Sequence, residues 1–349
     1  MTSPPAPATV PAAPAHDLAE EFLQQQTFAG RVQSVLHRHP ALSPALVLLV
    51  SVVFFGVLND RFLLPGNLSL ITQQVAVVGA LAIGQTLIIL TAGIDLSVGS
   101  IMVLGTMVMA QTASANAVPG PLALLLGLAV GLGAGAVNGL LVTRLKLPPF
   151  IVTLGTFNIF LALTLLYSHG ATVRGAQLPG LLTWTGTSFT VAGVRVTTGV
   201  ILMLAMYGVV AFALSQTAWG RHVYAVGDDK EAAALAGIRV RRVLLSVYVS
   251  AGFLFALAGW ILVGRINAAS PNAAADANLD SITAVVIGGT SLFGGRGAVW
   301  GTLLGALIVG VFRNGLSLAG VDQLYQTLTV GVLVIVAVSI DQWIRKARA

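Results

Sequence analysis

The chain contains no cysteine, and charge is scarce: 12 Asp+Glu and 18 Lys+Arg make up 9% of its 349 residues. Without cysteine there are no disulfides, no thiolate nucleophile and none of the usual zinc or iron–sulfur ligands. The five His offer no cluster for a buried metal site. A soluble domain carries about a quarter charged residues, so a deficit this large argues against a soluble enzyme, a nucleic-acid binder and a disordered chain. A phosphate loop is also missing. None of Lys146, Lys230 and Lys346 stands in a G-x-x-x-x-G-K-[ST] context, so the chain has no such cradle for ATP phosphates. A secretory signal is not expected, because no basic region precedes a short apolar stretch near the start.

What the chain does have is long runs without charge. The intervals 40–59, 62–94, 96–143, 147–173, 196–220 and 243–264 contain no Asp, Glu, Lys or Arg, and about 20 such residues cross a bilayer. We read an all-α polytopic membrane protein with about ten transmembrane helices, some short or broken. They fall near 41–59, 69–92, 97–113, 120–143, 149–168, 197–216, 243–264, 280–293, 298–314 and 324–341. The turn-forming cluster Ala113 to Gly120 divides the interval 96–143, which is too long for one span. Pro148 and Pro149 set the start of the fifth span. The eighth and ninth are short enough to be half-helices or re-entrant. Residues 1–40 read as a Pro/Ala-rich cytosolic tail with a short amphipathic stretch, 41–342 as the transmembrane domain and 343–349 as a basic cytosolic tail.

Charge then gives orientation. With the N-terminus in the cytosol, Arg31, Arg38, Arg144, Lys146, Arg221, Lys230, Arg239, Arg241, Arg242, Arg296, Arg345, Lys346 and Arg348 fall inside, 13 of the 18 basic residues. Arg61, Arg174, Arg195, Arg265 and Arg313 fall outside. This positive-inside bias fits an even number of spans with both termini cytosolic. The pI near 10.2 therefore reports orientation, and no nucleic-acid partner is expected.

Glycine and one acid mark the interior. Gly127, Gly131, Gly135 and Gly139 recur at i, i+4 along the fourth span, and Gly297, Gly301 and Gly305 along the ninth. Such rows let a second helix approach closely where lipid supplies no hydrophobic drive; packing within one subunit is the ordinary reading, a pore or dimer contact the alternative. Asp95, within Gly93-Ile94-Asp95-Leu96-Ser97-Val98-Gly99-Ser100, is the one acid between Asp60 and Asp228, near the cytosolic face. A carboxylate at membrane depth costs at least about 2.5–3.5 kcal/mol unless it faces protein or water. It either caps the third helix or belongs to the substrate path or gate. A faint parallel repeat follows 198 residues on, pairing Gly99 with Gly297, Ile89 with Ile287, Ile94 with Leu292, Ser100 with Ala298 and Ile101 with Val299.

The cytosolic loop 217–242 carries the most specific pattern. Gly227 precedes Asp228 and Asp229, either of which can cap a helix over Lys230 to Ala236; Gly237 is a natural stop before Ile238. A short helix with Ala on one side and charge on the other suits insertion into a groove on a cytosolic partner.

Here the sequence resembles a known family. Glu231-Ala232-Ala233 followed by Gly237 is similar to the coupling-helix pattern of ABC-importer permeases. Gly84-Gln85-Thr86 with the stretch Leu90 to Ser100, the stretch Leu147 to Thr156, and Ala284 to Gly297 resemble the ribose/xylose-type monosaccharide permeases, from about residue 44 to 341. Phe293 departs from the pattern, since the resemblance leads us to expect a smaller polar residue there. The resemblance implies an inner-membrane subunit that imports a sugar delivered by an extracytoplasmic binding protein. ATP and Mg would be bound by a separate cytosolic ABC ATPase, with no cofactor on this chain, and a second permease copy would complete a homodimer.

For the sugar path, polar residues near span middles and helix breaks are the candidates: Gln85, Thr86, Thr91, Asp95, Ser97, Asn138, Thr153, Thr156 and Asn158. Each has interhelical hydrogen bonding as its alternative. The outer segments 169–196 and 265–279, with Arg265, Asn272, Asp276 and Asp280, offer docking surface for the binding protein. A proton- or sodium-coupled carrier is the rival reading, but the span middles are nearly bare of the ionisable residues it needs. An intramembrane enzyme would need paired acids or a Ser/His pair at depth, and neither is present. Within the ABC class, nucleoside and branched-chain amino acid permeases remain as alternatives.

Overall fold

The computed structural model describes residues 42–273 and 276–346. The expected tail at 1–40 and residues 347–349 lie outside the described residues. Each of the ten apolar segments holds one helix: α1 (Leu42–Leu58), α2 (Pro65–Leu90), α3 (Val98–Ser114), α4 (Gly120–Arg144), α5 (Pro149–Ser168), α7 (Thr198–Gln216), α10 (Val240–Ile266), α11 (Ala277–Ile287), α12 (Val299–Leu318) and α13 (Gln323–Lys346). Between them lie the short helices α6 (Gly180–Thr183), α8 (Ala218–Asp228) and α9 (Lys230–Leu235). Six of these, α2, α4, α5, α7, α10 and α12, are long and apolar enough to cross a bilayer, which makes this a multi-pass membrane protein. Proline opens α2 and α5, at Pro65 and Pro149, where its missing N–H costs nothing.

The eighth segment departs from expectation. Its helix α11 stops at Ile287 rather than 293, and its 11 residues reach about 16 Å, half a bilayer core. The glycines at 288–289 and 294–295 account for the stop, because residues 288–298 form no regular helix before α12. Gly297 accordingly lies outside the ninth helix, against Thr290, while Gly301 and Gly305 bring α12 onto the Ala284 carbonyl of α11 and the Gly288 carbonyl just past its end.

The centre of the bundle is α2 and α10, whose most apolar stretches are 83% and 78% buried, against 28% and 33% in α5 and α7. The outer pair shows Ile151, Leu154, Ile159 and Leu166, with Ile201, Val209 and Phe212, to the surroundings. Along α4, Gly131 and Gly135 sit so close to α10 that a Cβ on either would strike the Gly252 or Tyr248 carbonyl oxygen; Gly127 faces Met109 and Gly105 of α3, and Gly139 faces Leu245. The row seats three helices within one subunit.

The segment 169–196 contains structure the hydropathy pattern did not announce. Strands Ser188–Val191 and Val194–Thr197 pair antiparallel. Ala192 and Gly193, both at positive φ (48° and 82°), make the two-residue turn between them. Val173–Arg174 pairs with Ala268–Ala269, fastening the segment to the end of α10.

Candidate functional site

Two regions hold the chemistry. The first is the element formed by α8 and α9. Thr217 caps α8 by accepting from the Gly220 amide, and Gly220, Val223, Val226 and Gly227 line its buried face. Asp229 then caps α9, its Oδ1 accepting from the Glu231 and Ala232 amides at 2.8 and 3.0 Å. At the far end the Gly237 amide donates to Ala234 and the Ile238 amide to Ala233, with Gly237 at φ +83°. That reciprocal pair of bonds ends a helix with a left-handed residue, the conformation that favours glycine.

The expected helix is therefore present, shorter by one residue and preceded by α8, which the loop reading left without structure. The predicted coupling residues separate into two sets. Asp228, Glu231, Ala232 and Gly237 are exposed and Ile238 is half-buried, whereas Gly227 and Ala233 are buried and face the protein. Leu235, not among the candidates, is 91% exposed. Beside it, cavities of about 390 and 340 Å³ are lined by Ala234, Ile238, Arg239 and Arg242 with their neighbours.

The second region surrounds the break between α2 and α3. Asp95 Oδ1 accepts from both the amide and the hydroxyl of Ser97, at 2.6 Å each. Asn138 Nδ2 donates to Ser97 Oγ at 2.8 Å, with Asp95 Oδ2 at 3.4 Å. Thr153 Oγ1 donates to the Ile94 carbonyl at 3.1 Å. Asn138 stands six residues before the end of α4, about 9 Å along the axis, and Asp95 beside it is buried in the bundle. The carboxylate closes a local turn ahead of α3 instead of capping its first turn. That cap comes from Asn278 of α11, whose Oδ1 accepts from the Gly99 amide at 2.6 Å.

The other path candidates lie apart from this cluster. Thr91 bonds its own helix at Ile88, and Thr86 pairs with Thr302 of α12 at 2.8 Å. Gln85 is fully buried, and neither amide atom has a hydrogen-bond partner among the described residues. Thr156 is buried one turn beyond Thr153. Asn158 is exposed on the outside of α5, bonded to Leu154 of its own helix.

The family described as branched-chain amino acid transport system / permease component matches residues 67–338. The chain belongs to this family. A fructose import permease of Rhizobium meliloti is 49% identical over 337 residues, 95% of this chain and 94% of that protein. A ribose import permease of Bacillus subtilis is 41% identical, covering 86% of this chain and 92% of its own. A D-allose transport system permease of Escherichia coli is 36% identical, covering 86% and 91%. No solved structure matches.

In this permease, three residues that sequence reasoning missed tie these regions to the rest of the bundle. Tyr224 of α8 donates its hydroxyl to the Gly297 carbonyl at 2.9 Å. Tyr248 of α10 buries its hydroxyl beside Gly93. Asn278 bonds α3, as above. Nothing local marks these residues, because each acts on a partner distant in sequence.

Proposed function

We propose that the chain is the membrane subunit of an ATP-driven importer that passes a monosaccharide from an extracytoplasmic binding protein into the cytosol, with hydrolysis on a separate cytosolic ABC ATPase. The observation that carries this reading is the set of carbohydrate permeases, for fructose, ribose and allose, that resemble the chain along nearly its whole length. The exposed α9 supports the division of labour. Capped at both ends and presenting an exposed Leu235, it has the shape of an element that enters a groove on a partner. Ten membrane segments with both termini cytosolic, and a second copy of the chain, complete the proposed assembly in the bacterial inner membrane.

For the sugar itself we favour Gln85. A buried amide without partners costs about 1–3 kcal/mol, a penalty that hydroxyl groups passing alongside would relieve. Thr86, Thr91, Asp95, Ser97, Asn138, Thr153 and Thr156 are buried to within 2% in the form described here, so a path along them requires the helices to part. Asn158, on the outer face of α5, belongs to such a path only if a second copy covers that face.

Reconstitution tests the proposal. Proteoliposomes containing this chain, its ATPase and its binding protein should take up labelled fructose, ribose or allose only with ATP, and not leucine. Replacing Glu231 or Gly237 should uncouple uptake from hydrolysis while membrane insertion is kept. Uptake that survives removal of the ATPase and collapses with the proton gradient would overturn the reading in favour of an ion-coupled carrier.

A further inference from the structure

Three backbone segments distant in sequence meet beneath the bundle. Leu90 is the last residue of α2, and its carbonyl accepts from the Gly295 amide, in the break between α11 and α12, at 3.0 Å. Gly227, in the last turn of α8, is packed against both: a Cβ there would collide with the Leu90 carbonyl oxygen and lie 2.6 Å from the Gly295 nitrogen. Gly294 closes the triangle, since a Cβ on it would lie 2.8 Å from the Ala92 nitrogen and 2.5 Å from the Gly227 carbonyl oxygen. One turn earlier, Tyr224 bonds the Gly297 carbonyl in the same break. A tyrosine phenol is protonated at neutral pH and so acts as the donor here.

The two breaks are those that the faint repeat of Gly99 and Gly297 sets in correspondence, and both touch α8. Contacts of backbone on backbone have no side-chain rotamer to absorb a displacement, and close-packed interiors transmit strain. One residue, Asp229, separates α8 from α9.

We propose that Tyr224 and Gly227 are positioning residues that tie both helix breaks to α8, so that a displacement of the cytosolic element moves the Leu90 and Gly295 backbones together. This rests on the reading of α9 as the surface that meets the ATPase. A purely local role would make the contacts part of folding and nothing more.

Hydrogen–deuterium exchange of the complete transporter, nucleotide-free and trapped with ADP and vanadate, separates the possibilities. In the native protein, peptides covering 91–97 and 288–298 should change protection together. In Tyr224→Phe, which deletes one hydroxyl and little packing volume, the 288–298 response should fall several-fold behind that of 91–97. Sugar moved per ATP should also drop several-fold while ATP turnover is retained. Gly227→Ala should do the same more severely; if it does not assemble, Tyr224→Phe carries the test. Uptake and hydrolysis falling in parallel, or breaks that still respond together at a normal transport ratio, would overturn the proposal. If the peptide 229–239 does not respond to nucleotide in the native protein, the docking role of α9 falls and this link falls with it. If that peptide responds and the native breaks do not move together, the link alone is wrong.

Discussion

Asn278, at the start of α11, caps the start of α3 by accepting a hydrogen bond from the Gly99 amide across 179 positions of sequence. Two helices far apart in sequence are thereby joined at their first turns. Removing the acceptor in Asn278→Ala should cost about 1 kcal/mol, the usual worth of an N-terminal cap. Asn278→Asp keeps an acceptor oxygen and should retain more of that stability. Thermal unfolding of the detergent-purified permease measures both, and equal losses would show that the bond to Gly99 is not what holds the two helices.

The Asp95 carboxylate holds the Ser97 amide and hydroxyl at once. Asp95→Asn leaves one carbonyl oxygen to accept but replaces the other oxygen with a donor facing Asn138. Transport should be impaired, with Asp95→Ala more damaging because the Ser97 amide and the Asn138 side chain both lose an acceptor. Uptake by the reconstituted system checks this. A native rate in Asp95→Asn would remove the residue from both the path and the structural cluster.

Arg313 of α12 meets Asp280 at 2.6 Å and Asp276 at 3.6 Å, and the Asp280 side chain is only 7% exposed. Arg313→Met leaves a buried carboxylate uncompensated and should destabilise the protein by about 3–5 kcal/mol. Adding Asp280→Leu should recover much of the loss, since an apolar pair of similar volume avoids the desolvation cost. Unfolding midpoints of the single and double variants decide it, and a double variant worse than the single would refute the argument.

Two glycines of α4 provide a matched comparison. A Cβ at Gly135 would strike the Tyr248 carbonyl, whereas Gly133 has open space around it. Gly135→Ala should therefore destabilise the permease by about 1–3 kcal/mol through overpacking. Gly133→Ala should be neutral or stabilising by up to about 1 kcal/mol, because alanine is the better helix former. Similar unfolding temperatures in the two variants would contradict the packing of α4 on α10.

Hydropathy and proline placement made most of the fold legible, because a bilayer demands long uncharged runs and proline starts helices. The α9 cap and stop could also be read in advance: Asp229 and Gly237 act on neighbours two or three residues away. The hairpin also has a local signature: Ser188 to Thr197 alternates polar and apolar residues around Ala192-Gly193, a strand signal that hydropathy averaged over a span length does not show. By contrast, the eighth segment misled because its charge-free run continues past Ile287 to Gly295 while its glycines end the helix. Asp95 and Asn138 were legible as polar residues in apolar runs, yet their meeting at Ser97 was not. The roles of Asn278, Tyr224 and Tyr248 depend on helix packing alone, which no local pattern encodes.

The contact between Gly295 and Leu90 carries a consequence for how this permease can be mapped. The bond runs from one peptide group to another, so it belongs to no side chain. An alanine scan would pass over Leu90 without touching it and would meet the junction mainly at its glycines, where the scan adds an atom instead of removing one. The positions that matter there would register as intolerance to growth rather than sensitivity to loss. Only libraries that enlarge residues, or chemistry that edits the amide itself, would bring the junction into view.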